Sequence, residues 1–566
     1  MAILARRADP VFAEQGRRLV SVTAVAALVG VLTYLVVVPL FRLQFVAFEN
    51  GALGYKNAYA VDDVGKTLVT TMILGVGSLV TAMALGTLLA WAAFHLPPRY
   101  RMLQLLPVIP LVIPSVASVV GWTFLFSPRP GYLNAVLREL PWWSHLESGP
   151  VDIYTAPWII IITGFLLTSF VYLFVNAGLR NINREHLDAA QISGSSSAGV
   201  FFRVVLPLLR PALIYGAGIV LLLGLGQFTA PLLLGTNLDI KVITTEMYSY
   251  VSEAPLDFGA AAAFGSPLVV LGLAVVILQK IGLGNQARFV THGGRSFKPS
   301  DRSSKLAVLA ILLYGTVSMV LPIAALVLVS LSRFWSSSID PGQFTLDNVI
   351  NVLSQPDTTN AILNSVVASA VAVAIVLPVG FIAATLLLRG RRFRVLRTVL
   401  DFVVALPLGI PAVIFGAGFL LTYSYPPLIL YGSRWVIIVV YVTLMLPFGT
   451  RMLLSSMISL GDSYLEASRV SGANALTTNV KIVLPLLRTS AGGAAALMFI
   501  LLTHEFSASL LVRNPTTQVM GTILFDYWGN GSYPTVAAIA LVMTVVTGIG
   551  VAVAMAIGGR DILNKL

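Results

Sequence analysis

Cysteine is absent from all 566 residues, which excludes disulfides and thiolate metal sites and says little about compartment. Charge is scarce as well: Asp, Glu, Lys and Arg make up 11% of residues, against about a quarter in an average soluble domain. A chain so poor in charge cannot wrap its core in a solvated surface. A complete phosphate-binding loop is also missing. The nearest fragment, Gly65-Lys66-Thr67, has Ala60 where the first glycine would stand, so nucleotide chemistry is not expected of this chain. The apolar–polar alternation of barrel strands is absent too, replaced by long unbroken apolar runs.

What is present is hydrophobic. Apolar residues form 57% of the chain and the mean hydropathy is +0.88, the composition of a polytopic membrane protein. A hydrocarbon core of about 30 Å takes roughly 20 apolar residues per helix. Twelve such segments can be placed, near 19–41, 67–94, 103–126, 155–179, 211–236, 264–284, 306–332, 361–388, 398–423, 434–456, 489–512 and 535–558. The predicted fold class is therefore all-α, with about twelve transmembrane helices. The net charge of +12 follows the positive-inside rule and does not call for a nucleic acid. With the amino terminus inside, Arg6, Arg7, Arg17 and Arg18 precede the first span, Arg389 to Arg397 follow the eighth, and Arg288 to Lys305 join the halves. Asp62, Asp63, Asp152, Asp257, Asp340, Asp347 and Asp357 fall outside. Both termini are expected in the cytoplasm of a bacterial inner membrane. The first apolar run exceeds twenty residues and has no small-x-small cleavage site, so it is read as a retained helix.

The segment DAAQISGSSSAGVFFRVVLPLLR, Asp188 to Arg210, returns without a gap as EASRVSGANALTTNVKIVLPLLR, Glu466 to Arg488, 278 residues on. GQFTAPLLLG from Gly226 matches HEFSASLLVR from His504 at the same offset, and LVIPSVASVVGW from Leu111 resembles LGIPAVIFGAGF from Leu408 at an offset of 297. An insertion at Ser127 to Pro150 accounts for the difference, with Trp142 and Trp143 suited to the bilayer interface. The chain reads as a tandem duplication, 1–290 and 291–566. Six spans return each half to its starting side, so the halves are parallel about an axis along the membrane normal, with a solute pathway expected between them.

Physically, Asp188 or Glu466 with its small neighbours belongs in the first turn of a short helix, where a negative charge meets the helix dipole. Gly194 and Gly472 end that helix, since glycine takes a left-handed cap without penalty. An amphipathic stretch follows, with Phe201, Phe202, Val204 and Val205 in one copy and Val480, Ile482 and Val483 in the other, before Pro207 and Pro485 mark a turn. The product is a short helix on an elbow, suited to another protein's groove.

This pattern resembles the EAA loop of binding-protein-dependent ABC importer permeases, with loops at 185–211 and 463–489, and the resemblance covers nearly the whole chain in two copies. It implies the type I importer permease fold and coupling helices from Asp188 to Gly199 and from Glu466 to Thr477. Asp188, Ala189, Ala190 and Gly194, and Glu466, Ala467, Ser468 and Gly472, would rest in clefts of a separate ATPase. Asp188 stands for the family's Glu and Ser468 for its second Ala, keeping charge and small size. Two ATPase copies binding ATP and Mg, a substrate-binding protein on the outer face, and no cofactor in this chain are implied.

A carboxylate at mid-span costs roughly 2.5–3.5 kcal/mol, so Glu505 is expected to face the pathway, with a hydrogen bond to a neighbouring helix as the rival reading. Gln227, its counterpart, and His504, its neighbour, are the other pathway candidates, although helix packing or an interface position is the stronger reading of His504. Asp401 is expected to pair with an Arg of the adjacent RRFRVLR run. Glu246, Tyr248, Asp526 and Tyr527 are candidates for outer gates or binding-protein contacts. Their hard oxygen atoms suit a ferric ion, though no metal-ligand set is assigned. Fused double permeases occur in ferric-iron, thiamine and aminoethylphosphonate importers, and KVITTEMYSYVSEAPLDFGAAAAF and EFSASLLVRNPTTQVMGTILFDYWGNG look most like the iron group. A proton- or sodium-driven secondary transporter would also have twelve helices in two halves, but would leave the two matched loops unexplained.

Overall fold

The computed structural model describes residues 10–60, 63–180, 182, 184–235, 239–283, 304–390, 394–460 and 463–558. The boundary expected at 290/291 lies outside them, as do Arg6, Arg7, Asp62 and most of the Arg288–Lys305 stretch. Among the described residues, eight helices are long and apolar enough to cross a membrane, and four bent pairs raise the number to twelve if each pair is one span. The protein is an all-α polytopic membrane protein of two parallel six-helix repeats.

The spans formed by one helix are Val22–Tyr59, Val64–Ala93, Ala156–Arg180 and Phe258–Leu278 in the first repeat. In the second they are Lys305–Leu331, Pro356–Arg389, Arg434–Leu460 and Tyr533–Ala554. The third span bends by 96° between Pro98–Val112 and Ser115–Phe126, and its repeat partner, the ninth, by 113° between Arg394–Gly409 and Ala412–Tyr423. The fifth and eleventh spans each bend by 68°, at Leu209 and Leu487. All four breaks fall at repeated positions. The first span runs past its expected end to Phe48, where left-handed φ values at Asn50, Gly51 and Ala52 turn the chain.

Packing repeats as well. The second span lies against the fourth and fifth, as the eighth lies against the tenth and eleventh. The first span does not stay within its own repeat: it packs on the sixth span and on both limbs of the ninth. The seventh reciprocates against the third and second, while also touching the twelfth. Two glycines permit this exchange. A Cβ on Gly121 of the third span would lie 2.6 Å from the Pro322 carbonyl oxygen of the seventh, and one on Gly418 of the ninth would lie 2.6 Å from that of Pro39 of the first. Close approach over small residues is how helices gain contact in lipid, where apolar burial supplies no drive.

The insertion between the third and fourth spans folds over a short helix, Tyr132–Arg138. Its buried Asn134 donates to the Phe126, Ser127 and Val151 carbonyls and accepts from the Val151 N–H. Trp142 stands exposed and edge-on to Trp143.

Gly121→Ala and Gly418→Ala are each expected to lower stability by about 1–3 kcal/mol, the usual cost of overpacking. Gly30→Ala, where a Cβ meets nothing within 4 Å, should not. Thermal unfolding in detergent by tryptophan fluorescence separates the three variants, and equal midpoints would refute this account of the exchanged packing.

Candidate functional site

Two features stand out: a pair of elbows on one face, and a cluster of rings between the repeats. Each elbow begins with a short helix, Arg184–Ile192 or Ser463–Val470. Both end in the same hydrogen-bonded turn. Gly194 has φ +84° and Gly472 φ +77°. The Gly194 N–H donates to Gln191 and the Ser195 N–H to Ala190; the Gly472 N–H donates to Arg469 and the Ala473 N–H to Ser468. This is the Schellman arrangement that a left-handed glycine allows. A new helical cap follows two residues later. The Ser196 hydroxyl accepts from the Gly199 N–H, and the Asn474 side-chain oxygen accepts from the Thr477 N–H.

The cap corrects the expected extents. The short helices stop at Ile192 and Val470, and Gly199 and Thr477 belong to the next helical stretch, because the left-handed glycine breaks the run. Asp188 also lies in the second turn of its helix, since that helix starts at Arg184 and its first turn carries Glu185; Glu466 does lie in a first turn. The Asp188 side chain is outside the described residues. Ala189, Glu466 and Ala467 are exposed and Ala190 is half-buried. Ser468 is buried and hydrogen-bonds Thr478 across the elbow at 2.7 Å. The last helical residues, Ile192 and Val470, are repeat equivalents and are 87% and 89% exposed. Both copies thus hold out an apolar knob beside polar groups.

Between the repeats, Phe228 stacks on Phe506 at 5.6 Å. These two residues occupy the same position in each repeat, so the local two-fold axis passes between them. Tyr248 meets Phe525 edge-on at 6.2 Å, and each closes onto its own repeat's phenylalanine at 5.7 Å. Tyr248 and Phe525 are also equivalents. Each follows an identical helix start, in which Val242 or Val519 donates its N–H to the hydroxyl of Thr245 or Thr522 at 3.0 Å. Phe228 and Phe506 are 2% exposed, and the four rings close the axis. Sequence comparison of the repeats already aligned Phe228 with Phe506. Their stacking on an axis had no signal there.

The breaks of the third and ninth spans lie beside this cluster. Gly226 sits against Pro411, at the break of the ninth span, and the His504 imidazole faces the Val112 backbone at the break of the third. His504 also hydrogen-bonds Thr547 at 3.0 Å. The Glu505 carboxylate accepts from the Ala508 and Ser509 N–H groups at 2.7 and 2.8 Å and from the Ser509 hydroxyl. It therefore caps the short helix Ser507–Val512. Gln227 instead accepts from Thr163 at 2.9 Å.

On the face opposite the elbows, Arg513 grips both Asp526 oxygens at 2.7 and 2.8 Å, and Gln518 donates to Asp526. In the first repeat Lys66 pairs with Asp239 at 2.7 Å and Lys241 with Glu246 at 3.4 Å. The Asp239 carboxyl is held below the ordinary carboxylate range, first by the hydrogen bond from Lys66 and then by its charge. Glu246 raises the Lys241 ammonium by charge. Tyr527 donates to Gln355. Glu246 and Asp526 are thus engaged by cations, and among the described residues no three His, Asp or Glu side chains gather as a metal site. Asp401 pairs with Arg451 of the tenth span at 2.7 Å. The tenth span packs against the ninth, which brings Arg451 to Asp401; Arg391 and Arg392 of the RRFRVLR run expected to pair with it lie outside the described residues.

A family model described as "Binding-protein-dependent transport system inner membrane component" matches residues 82–282 and 376–560. The chain is 27% identical over 536 residues to a probable ABC transporter permease protein, y4fN, of Sinorhizobium fredii, covering 91% of each chain. It is 25% identical over 450 residues to the ferric transport system permease protein FbpB of Actinobacillus pleuropneumoniae, covering 78% of this chain and 64% of that protein, just under two thirds of its length. The sn-glycerol-3-phosphate transport system permease protein UgpA of Shigella dysenteriae is 26% identical over 244 residues, 42% of this chain and 80% of that one. Among solved structures, a bacterial alginate ABC transporter in complex with alginate pentasaccharide-bound periplasmic protein aligns at 18% identity with a TM-score of 0.38, over 45% of this chain and 94% of that one.

Joint replacement of Phe228 and Phe506 by Ala is expected to open the axis to small solutes. Dye efflux from proteoliposomes, with no energy source present, should rise over wild type in the double variant, provided it remains monodisperse. Efflux equal to wild type would show that the rings are not the seal.

Proposed function

The chain belongs to the family of binding-protein-dependent transport system inner membrane components, the permease subunits of ABC importers, and from there we propose that its elbows are where ATP hydrolysis is converted into movement. The observation that carries this reading is the matched pair. Two short helices stand on one face of two parallel repeats, each ending in a stiff glycine cap and exposing an apolar knob, Ile192 or Val470. A matched pair of knobs calls for two copies of an ATPase subunit, which bind the ATP and Mg. The elbow face is then cytoplasmic, in agreement with the basic residues assigned to it. A substrate-binding protein docks on the opposite face, where the Arg513–Asp526 and Lys66–Asp239 pairs lie.

In this reading ATP binding draws the ATPase copies and both elbows together. The repeats rock about the axis, and the four rings part on the outer side. The permease makes no covalent bond. It contributes two conformations that ATPase and binding protein stabilise differently. Glu505, Gln227 and His504 act on the pathway through the breaks, holding the chain where the repeats meet.

We propose ferric iron as the cargo. The support is that ferric transport permeases from two bacteria match 78% and 74% of this chain, across both repeats. Deleting the gene should abolish uptake of radiolabelled ferric iron by whole cells and spare that of sn-glycerol-3-phosphate. The reverse pattern would reassign the cargo.

Glu466→Arg and Gly472→Pro are expected to leave the protein inserted while uncoupling hydrolysis from uptake; normal binding-protein-stimulated hydrolysis in both would sink the coupling role. Val470→Asp should weaken co-purification of the ATPase by roughly tenfold, the scale of a lost interface anchor. Glu505→Gln keeps one acceptor but sets an amide N–H₂ against backbone donors. Uptake should fall with the ATPase still bound, and unchanged uptake would remove Glu505 from the pathway.

A further inference from the structure

We propose that the elbow face of the first repeat holds an anionic phospholipid of the adjoining leaflet, with its phosphate on Arg210 and an acyl chain in the groove between the second and fifth spans. That groove has a volume of about 410 Å³. Arg210 lines it at the start of the fifth span's long limb, and Leu206, Pro207, Leu213, Ala217 and Met83 supply apolar walls. Arg210, Leu213 and Ala217 lie on one face of the fifth span, at i, i+3 and i+7. Along the fifth span, over about 10 Å of helix, the lining passes from the Arg210 cation to apolar Leu213 and Ala217, the profile of a lipid headgroup and chain.

The cation is otherwise out of place. Arg210 is the first residue of its helical limb, at the positive end of the helix dipole, where a cation is unfavourable unless an anion lies beside it. It is exposed, and no carboxylate among the described residues pairs with it. Exposed Arg203 stands two turns earlier, again unpaired among the described residues. The second repeat keeps the same two charges, Lys481 and Arg488, both exposed, beside exposed Val480, Leu484 and Leu486. Cations next to exposed apolar side chains at a bend along the membrane surface match an anionic leaflet. The elbow joins the short helix to the fifth span, so a lipid fixed there would brace the segment that moves. The binding site itself does not depend on the importer reading.

Native mass spectrometry of the purified permease alone tests it, with equimolar dioleoyl phosphatidylglycerol and dioleoyl phosphatidylcholine. Wild type should retain phosphatidylglycerol in preference. Arg210→Gln should cut those adducts about fivefold, the worth of one basic residue at an anionic surface. Met83→Phe, which narrows the groove and leaves the charge, should cut them as well, while Arg333→Gln, on the opposite face, should not. Equal retention of both lipids by wild type, or phosphatidylglycerol adducts unchanged by Arg210→Gln, would overturn the proposal. Loss of ATPase co-purification in Arg210→Gln with unchanged adducts would assign the cation to a protein contact, overturning it equally.

Discussion

Close backbone contact between helices of different repeats underlies everything else in this fold. In lipid no hydrophobic drive pulls two helices together, so they associate through packing and through the approach that small residues allow. At Gly121 against Pro322 and at Gly418 against Pro39 the repeats exchange their first helices with almost no space to spare. The exchange sets the axis. Because the two contacts are equivalent, the symmetry is isologous, and residues near the axis must meet their own counterparts. Phe228 and Phe506 do so, and Tyr248 and Phe525 follow.

Near the axis the protein breaks helices, which in hydrocarbon is tolerated only where freed backbone groups find partners. Each repeat solves this differently. In the second, Glu505 turns a carboxylate onto the N–H groups that open Ser507–Val512. In the first, Gln227 turns to Thr163, and Pro231–Gly235 winds as a π-helical turn. The divergence of Glu505 from Gln227 thus goes with a difference in how the same break is closed. Away from the axis, ordinary ion pairs hold the loops, and Asp526 is occupied by Arg513.

Much of this was readable beforehand, for physical reasons. Length and apolarity set the spans, which fall near the expected positions except that the first runs on to Phe48, and Gly194 and Gly472 end their helices as the left-handed conformation demands. What escaped was non-local. Hydropathy cannot tell that the first span lies on the ninth, because lipid and protein neighbours ask for the same residues. Nor does a pattern of charges reveal that Asp401 reaches across to Arg451 when a basic run lies next to it in sequence. The turns expected at Pro207 and Pro485 are present as the 68° bends, whereas the 96° and 113° bends have no counterpart in the sequence reading, although Pro114 and Pro411 stand beside them. Glu505 is costly at mid-membrane, and the sequence favours a pathway role for it over a hydrogen bond to a neighbouring helix; the capping geometry depends on a break that no periodicity marks.

The exchange of first helices also orders the life of the molecule. The third span cannot complete its packing until the seventh has been made, while the first waits on the bilayer for the ninth. Neither repeat can therefore mature alone as it leaves the ribosome. Joining both in one chain guarantees that each meets its complement at once, at matched stoichiometry, and a gene that split them would have to synthesise its two products side by side.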